Sequence, residues 1–188
     1  MAAVLGLERE AVEKLCIQSS GNGDGADSVE PVNYNAPGQM VVAGTVAAVD
    51  RLVASAQSAG AARAIRLNVF GAFHSRLMRD AARAMAAALD AVQLAEPAIP
   101  VAMNSTGRLA RTAVEVRSAI REQLDHPVRW DESIASIVAE GATTFVEAGP
   151  GRVLSGLVKR IHRPAAIVNV EDESSLQKTI GACFGSCC

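Results

Sequence analysis

Val29-Glu30-Pro31-Val32-Asn33-Tyr34-Asn35-Ala36-Pro37-Gly38-Gln39-Met40-Val41-Val42-Ala43-Gly44 reads as two extended runs folded onto each other. Val29 to Tyr34 is extended, Asn35-Ala36-Pro37-Gly38 has turn chemistry, and Gln39 to Gly44 returns as a β-branched strand. The two pair as a hairpin. Upstream, Ala2-Ala3-Val4-Leu5-Gly6-Leu7 is a short apolar strand, and Glu8 to Ile17 is an amphipathic helix with Val12, Leu15 and Cys16 on one face. Ser19 to Ser28, with three glycines and two aspartates, buries almost nothing and reads as a flexible loop. Downstream, Thr45 caps a helix carrying Val46, Val49, Leu52, Val53 and Ala56, which ends at Gly60. Arg63 to Val69 then alternates as a half-buried strand does.

The order is β-α-β-β-α-β, closing at about Asn68. That order is the split βαβ arrangement of ferredoxin-like domains, four antiparallel strands with two helices on one face. Residues 1–68 are therefore expected to form one subdomain and 69–188 a second.

Val69-Phe70-Gly71-Ala72-Phe73-His74-Ser75-Arg76-Leu77-Met78 joins the two. Ser75 stands where it can cap a helix whose apolar positions, Leu77, Met78, Ala81, Ala82, Met85, Ala88 and Leu89, recur every three or four residues. A neutral imidazole at such a strand-to-helix junction works as a general base when one ring nitrogen is held by an acceptor and the other takes the proton. A half-buried structural histidine satisfies the same pattern.

Beyond His74, long helices alternate with short strands, the pattern of a parallel sheet. The strands are Pro100 to Ser105, Pro127 to Trp130, Thr143 to Ala148 and Ala166 to Val170. Between them lie helices over Thr112 to Leu124, around Ile134, Ile137 and Val138, around Val153 to Val158, and over Ser174 to Ile180. Gly149-Pro150-Gly151 makes a tight strand-to-helix turn, readable as packing or as an anion-binding helix N-terminus. So few parallel strands do not complete an α/β layer, which normally has five or more strands covered on both faces.

Composition agrees with an α/β class. The chain has 188 residues, 49% hydrophobic but only 3% aromatic, so its apolar mass is the Ala, Val, Leu and Ile of helices packed on sheets. Net charge is −2 with Lys and Arg scattered, which argues against nucleic acid as a partner. No run approaches the roughly 18 apolar residues of a membrane span, and no signal pattern opens the chain, so a soluble, cytoplasmic protein is expected. Cys16, Cys183, Cys187 and Cys188 lack the paired spacing of a zinc site and read as reduced thiols.

Four ordered motifs carry a resemblance. They are Asn33-Tyr34-Asn35-Ala36-Pro37-Gly38-Gln39, Gly71-Ala72-Phe73-His74-Ser75 with Leu77-Met78, Gln123-Leu124-Asp125-His126-Pro127-Val128-Arg129-Trp130, and Phe145-Val146-Glu147-Ala148-Gly149-Pro150-Gly151-Arg152-Val153-Leu154. In this order, from Met1 to about Ile180, the chain resembles the C-terminal three-fifths of malonyl-CoA:acyl carrier protein transacylases.

The resemblance implies a ferredoxin-like subdomain inserted in an α/β-hydrolase-like core, of which 69–188 is the incomplete C-terminal part. It implies malonyl transfer from malonyl-CoA to the phosphopantetheine thiol of acyl carrier protein through a serine ester, in fatty acid biosynthesis, with no metal or redox cofactor. His74 matches the family's catalytic histidine, and Gln123 matches the residue whose backbone carbonyl orients it, in place of a triad aspartate. Asn35 matches a position lining the acyl pocket, and Phe73 one that accompanies malonyl rather than methylmalonyl selection; turn chemistry and core packing are the alternatives for these two. The family's G-x-S-x-G nucleophile elbow has no counterpart in the 188 residues. Two other readings follow from that: a truncated, non-catalytic module that docks acyl carrier protein, and a polyketide synthase acyltransferase fragment.

Overall fold

The computed structural model describes residues 1–21 and 27–184. Half of the loop expected over Ser19 to Ser28, and Cys187 and Cys188, lie outside the described residues.

The first elements are β1 (Ala2–Leu5), α1 (Arg9–Ser19), β2 (Val29–Ala36), β3 (Gln39–Gly44), α2 (Val46–Ala56) and β4 (Arg63–Arg66). Their strands lie in the order β4-β1-β3-β2, each antiparallel to its neighbours. The period of two divides β3 cleanly. Met40 and Val42 join the core under the helices, while Val41 and Ala43 belong to a second cluster. Into the first core α1 places Val12, Leu15 and Cys16, and α2 places Ala48, Val49, Leu52 and Ala56, one stripe from each helix. Burial of a side chain such as Leu52, wholly removed from solvent, stabilises the fold by about 1.5–3 kcal/mol. Thr45 caps α2 as its position predicts, its hydroxyl accepting from the Ala48 amide. In the hairpin, Gly38 has φ 70°, the left-handed conformation a Pro-Gly turn needs, and its carbonyl accepts from the Gly6 amide at 2.8 Å.

The second cluster, Val32, Val41 and Ala43, is packed by Met1, Ala3, Leu67 and Ala72. The chain leaving β4 therefore runs against the sheet toward His74. The Leu67 amide still donates to the Met1 carbonyl in register with β1, but the Val69 amide closes a γ-turn on the Leu67 carbonyl, each at 3.0 Å, so the strand ends short of Val69.

After a single 3-10 turn, Arg76–Met78, come α3 (Arg79–Asp90), β5 (Val101–Met103), β6 (Arg108–Ala110), α4 (Ala113–Glu122) and β7 (Val128–Arg129). Then follow α5 (Trp130–Ala139), β8 (Thr144–Ala148), α6 (Val153–Ile161), β9 (Ala166–Val170) and α7 (Glu173–Phe184). Strands β8 and β9 are parallel, as the alternation of strand and helix implies.

Two pairings differ from the sequence reading. Strand β5 turns back through Gly107, at φ 67°, into an antiparallel β6 whose Arg108-Leu109-Ala110 has no β-branched residue to mark it. Strand β7 leaves the second half to pair parallel with β2, Asn33 opposite Val128 and Tyr34 opposite Arg129, making a mixed five-stranded sheet. Two residues are too few to show a period. The same junction is tied by Arg9 of α1, whose guanidinium lies 4.3 Å from the Tyr34 ring centre and bonds Asp131 and Glu132 at the start of α5. No helix among the described residues is long and apolar enough to cross a membrane.

Candidate active site

His74 has φ 65° and is the one non-glycine among the described residues with positive φ. A conformation of this kind costs about 1–3 kcal/mol and persists only where its surroundings impose it. Here two consecutive carbonyls beyond the end of α4 do so. The His74 amide donates to the Leu124 oxygen at 2.9 Å, and ring Nδ1 lies 2.8 Å from the Gln123 oxygen. A carbonyl oxygen only accepts, so the neutral ring carries its proton on Nδ1 and keeps the Nε2 lone pair free. That is the tautomer of a general base acting through Nε2.

The flanking residues fix the approach. Ser75 is 1% exposed; its hydroxyl donates to the Ala72 carbonyl and accepts from the Leu77 amide, capping the 3-10 turn that precedes α3 rather than α3 itself, which starts after Met78 without a side-chain cap. Glu30 on β2 accepts from the Arg76 amide at 2.7 Å and from its guanidinium at 3.1 and 3.2 Å. The loop is thereby tied to β2 of the sheet as well as to the end of α4. Neither Glu30 nor the Leu124 carbonyl was marked by the sequence, because a long-range carboxylate and a backbone oxygen leave no local pattern.

Of the four candidate residues, the structure brings His74 and Gln123 together. Phe73 adjoins His74 along the chain, is 41% exposed, and lays its ring over Gly71, where an added Cβ would meet it at 3.2 Å. Asn35 falls where the β2–β3 register slips between Tyr34 and Ala36. It is a bulge residue, a position that re-aims a side chain. No hydrogen bond among the described residues links it to His74.

The Gly149-Pro150-Gly151 turn is filled from within. Glu147 of β8 accepts from the Leu154 and Ser155 amides at 3.0 and 2.8 Å and from the Ser155 hydroxyl, while Glu171 accepts from the Gly151 amide at 3.1 Å. The amides at the start of α6 that an external anion would use are thus occupied by the chain's own carboxylate. Cys16 and Cys183 are free thiols; burial, then Glu30 and Glu13, push the Cys16 thiol up to about 12, where it is inert at neutral pH.

Comparison with known proteins gives one consistent answer. A malonyl CoA-acyl carrier protein transacylase of Bacillus subtilis (strain 168) is 39% identical over 180 residues, 96% of this chain and 56% of that protein. The crystal structure of a malonyl-CoA:acyl carrier protein transacylase from Xanthomonas oryzae pv. oryzae superposes with TM-score 0.90 at 36% identity, covering 96% of this chain and 56% of the other. A type II PKS acyl-carrier protein in complex with its malonyl-transacylase matches equally well, with TM-score 0.90 and 36% identity over 96% of this chain and 57% of the other. The chain thus spans a little over half the length of the relatives it matches. The family model for the acyl transferase domain matches residues 7–178, and with nearly its whole length inside that match the chain belongs to the acyl transferase domain family.

Proposed function

We propose that this chain supplies the histidine-bearing part of a malonyl-CoA:acyl carrier protein transacylase. The observation that carries the reading is the pair of carbonyl contacts on His74, which leave Nε2 as a free base. In the reaction, His74 Nε2 takes the proton of a serine hydroxyl as that oxygen attacks the malonyl thioester. The same nitrogen returns the proton to the departing CoA thiolate. It then deprotonates the phosphopantetheine thiol of acyl carrier protein, whose sulfur takes the malonyl group, and the serine oxygen recovers the proton. The serine is outside these 188 residues, which hold no G-x-S-x-G.

Residues 1–68 are proposed as a ferredoxin-like subdomain and 69–188 as part of the catalytic core. The antiparallel order β4-β1-β3-β2 with two helices packed on one core supports the first. Asn35 is assigned to the acyl pocket and Phe73 to malonyl selection, with fatty acid synthesis in the cytoplasm as the setting. The test pairs this chain with the serine-bearing N-terminal part of a close relative and follows transfer of malonyl from malonyl-CoA to holo acyl carrier protein. Transfer that depends on both His74 and the serine supports the reading; transfer unaffected by His74→Ala refutes it.

A second reading, a non-catalytic module that docks acyl carrier protein, is favoured by the lack of a nucleophile elbow in these residues. It predicts binding of the carrier by this chain and no transfer with any serine-bearing segment.

A further inference from the structure

We infer that Arg117 is a positioning residue for His74. The inference rests on the assignment of His74 as the base, but its test reads the imidazole itself. His74 takes both its ring orientation and its left-handed backbone from the Gln123 and Leu124 carbonyls, so the place of α4 relative to the His74 loop decides whether Nδ1 finds its acceptor. Helix α4 is anchored by one small apolar cluster, to which it adds half-buried Val116 and Ile120. Ala119 is its one buried residue, in a small cluster with Met103 and Ala110. Polar ties must therefore supply much of the fixation.

The strongest of these ties reach α3, the helix that begins five residues beyond His74. Arg117 spreads its guanidinium over one carbonyl in the last turn of α3 and one just past its end: Nη1 donates to Leu89 and Nη2 to Val92, the latter at 2.5 Å. Terminal carbonyls of a helix lack intrahelical donors and carry the negative end of its dipole, so a cation with a two-pronged donor fits them well. One turn further along α4, Arg121 pairs with Asp90, an exposed contact of smaller worth. The Ser105 hydroxyl adds a bond to the Ala119 carbonyl at 3.0 Å.

These contacts close a ring through the fold. It runs from His74 through the 3-10 turn and α3 to Leu89 and Val92, across to Arg117, along α4 to Gln123 and Leu124, and back to His74. Arg117, itself on α4, ties that helix to backbone carbonyls at the end of α3. Freed from it, α4 can shift along α3, and a shift of an ångström at the Gln123 oxygen breaks a 2.8 Å hydrogen bond.

The experiment is nitrogen NMR on the full chain labelled with 15N-histidine, which contains three histidines to assign, together with hydrogen exchange of the His74 amide. Parent protein is expected to show the Nδ1–H tautomer at His74 and a slowly exchanging amide. Arg117→Met should turn His74 into a tautomer mixture and speed its amide exchange by roughly tenfold or more through local opening, with exchange in β1 and β3 unchanged. Arg117→Lys keeps the charge but lacks the fork, and should fall between; it also serves if the Met variant does not fold. Arg83→Met, which removes an exposed pair with Asp80 on the same α3, should leave His74 as it is. A folded Arg117→Met, or a folded Arg117→Lys should Met not fold, with parent tautomer and exchange at His74 overturns the inference. If the parent chain, paired with a serine-bearing segment, shows the expected His74 tautomer yet supports no malonyl transfer, the proposed function falls, while an Arg117 variant that still disturbs His74 keeps the positioning role standing.

Discussion

The imidazole of His74 is held by the main chain of Gln123: Nδ1 donates to the carbonyl oxygen at 2.8 Å, and the Gln123 side chain takes no part in that bond. Gln123→Ala is therefore expected to leave malonyl transfer within about twofold, since a substitution that breaks no specific contact changes energies by about 0.5 kcal/mol or less. His74→Ala, by contrast, should lower it by roughly 10²–10⁴. Both variants are measured in this chain paired with a serine-bearing segment. A large loss in Gln123→Ala, with the fold intact, would move the role from the backbone to the amide side chain.

Glu147 should make the second half sensitive to acid. The Ser155 hydroxyl, then the Ser155 and Leu154 amides, hold its carboxyl below the ordinary 4.5 against some opposing desolvation. A lowered carboxylate pKa contributes stability that is present above the unfolded value and lost as pH falls through the folded value. Glu147→Gln should accordingly lower the thermal midpoint at neutral pH, with the gap to the parent closing once pH drops below 4.5. Equal midpoints at neutral pH would mean that the α6 N-terminus is held by other contacts.

Alone, the 188 residues should take no malonyl label from radiolabelled malonyl-CoA, because they offer a base without the G-x-S-x-G serine and its oxyanion donors. Stoichiometric, hydroxylamine-labile incorporation would place a nucleophile elsewhere in the chain.

The same material should bind a hydrophobic dye or self-associate. Phe70 is fully exposed, and Val146 on β8 with Val153 and Leu154 at the start of α6 also face solvent, an unusual apolar display for a free monomer. A dye-silent monomer in sedimentation would argue that these side chains are dispersed rather than gathered.

Local chemistry made the first half readable. Thr45, the Pro37-Gly38 turn and the β-branched run of β3 each announce an element within a few residues, and each has its expected role. What stayed hidden depends on distant partners. Strand β7 exists because β2 offers an edge to Val128 and Arg129. The bulge at Asn35 comes from a register slip against β3. The left-handed backbone of His74 is imposed by carbonyls about fifty residues away, and no glycine marks it. His74 was nameable from its motif; the carbonyl contacts that hold its ring and backbone were not.

The last prediction concerns Phe73, whose ring lies over Gly71, is 41% exposed and adjoins in sequence the histidine proposed as the base. A rigid ring in that place crowds the extra methyl of a methylmalonyl group, and a single methyl in a pocket is worth roughly 1–3 kcal/mol, or about 10- to 200-fold in selection. With this chain paired to its serine-bearing part, Phe73→Ser should narrow the preference for malonyl-CoA by admitting methylmalonyl-CoA, chiefly by relieving that clash. His74→Ala should lower transfer of both substrates alike, which separates selection from chemistry. If Phe73→Ser left the malonyl to methylmalonyl ratio of kcat/KM unchanged in a folded protein, the ring would be packing for the Gly71 loop and the selectivity assignment would fall.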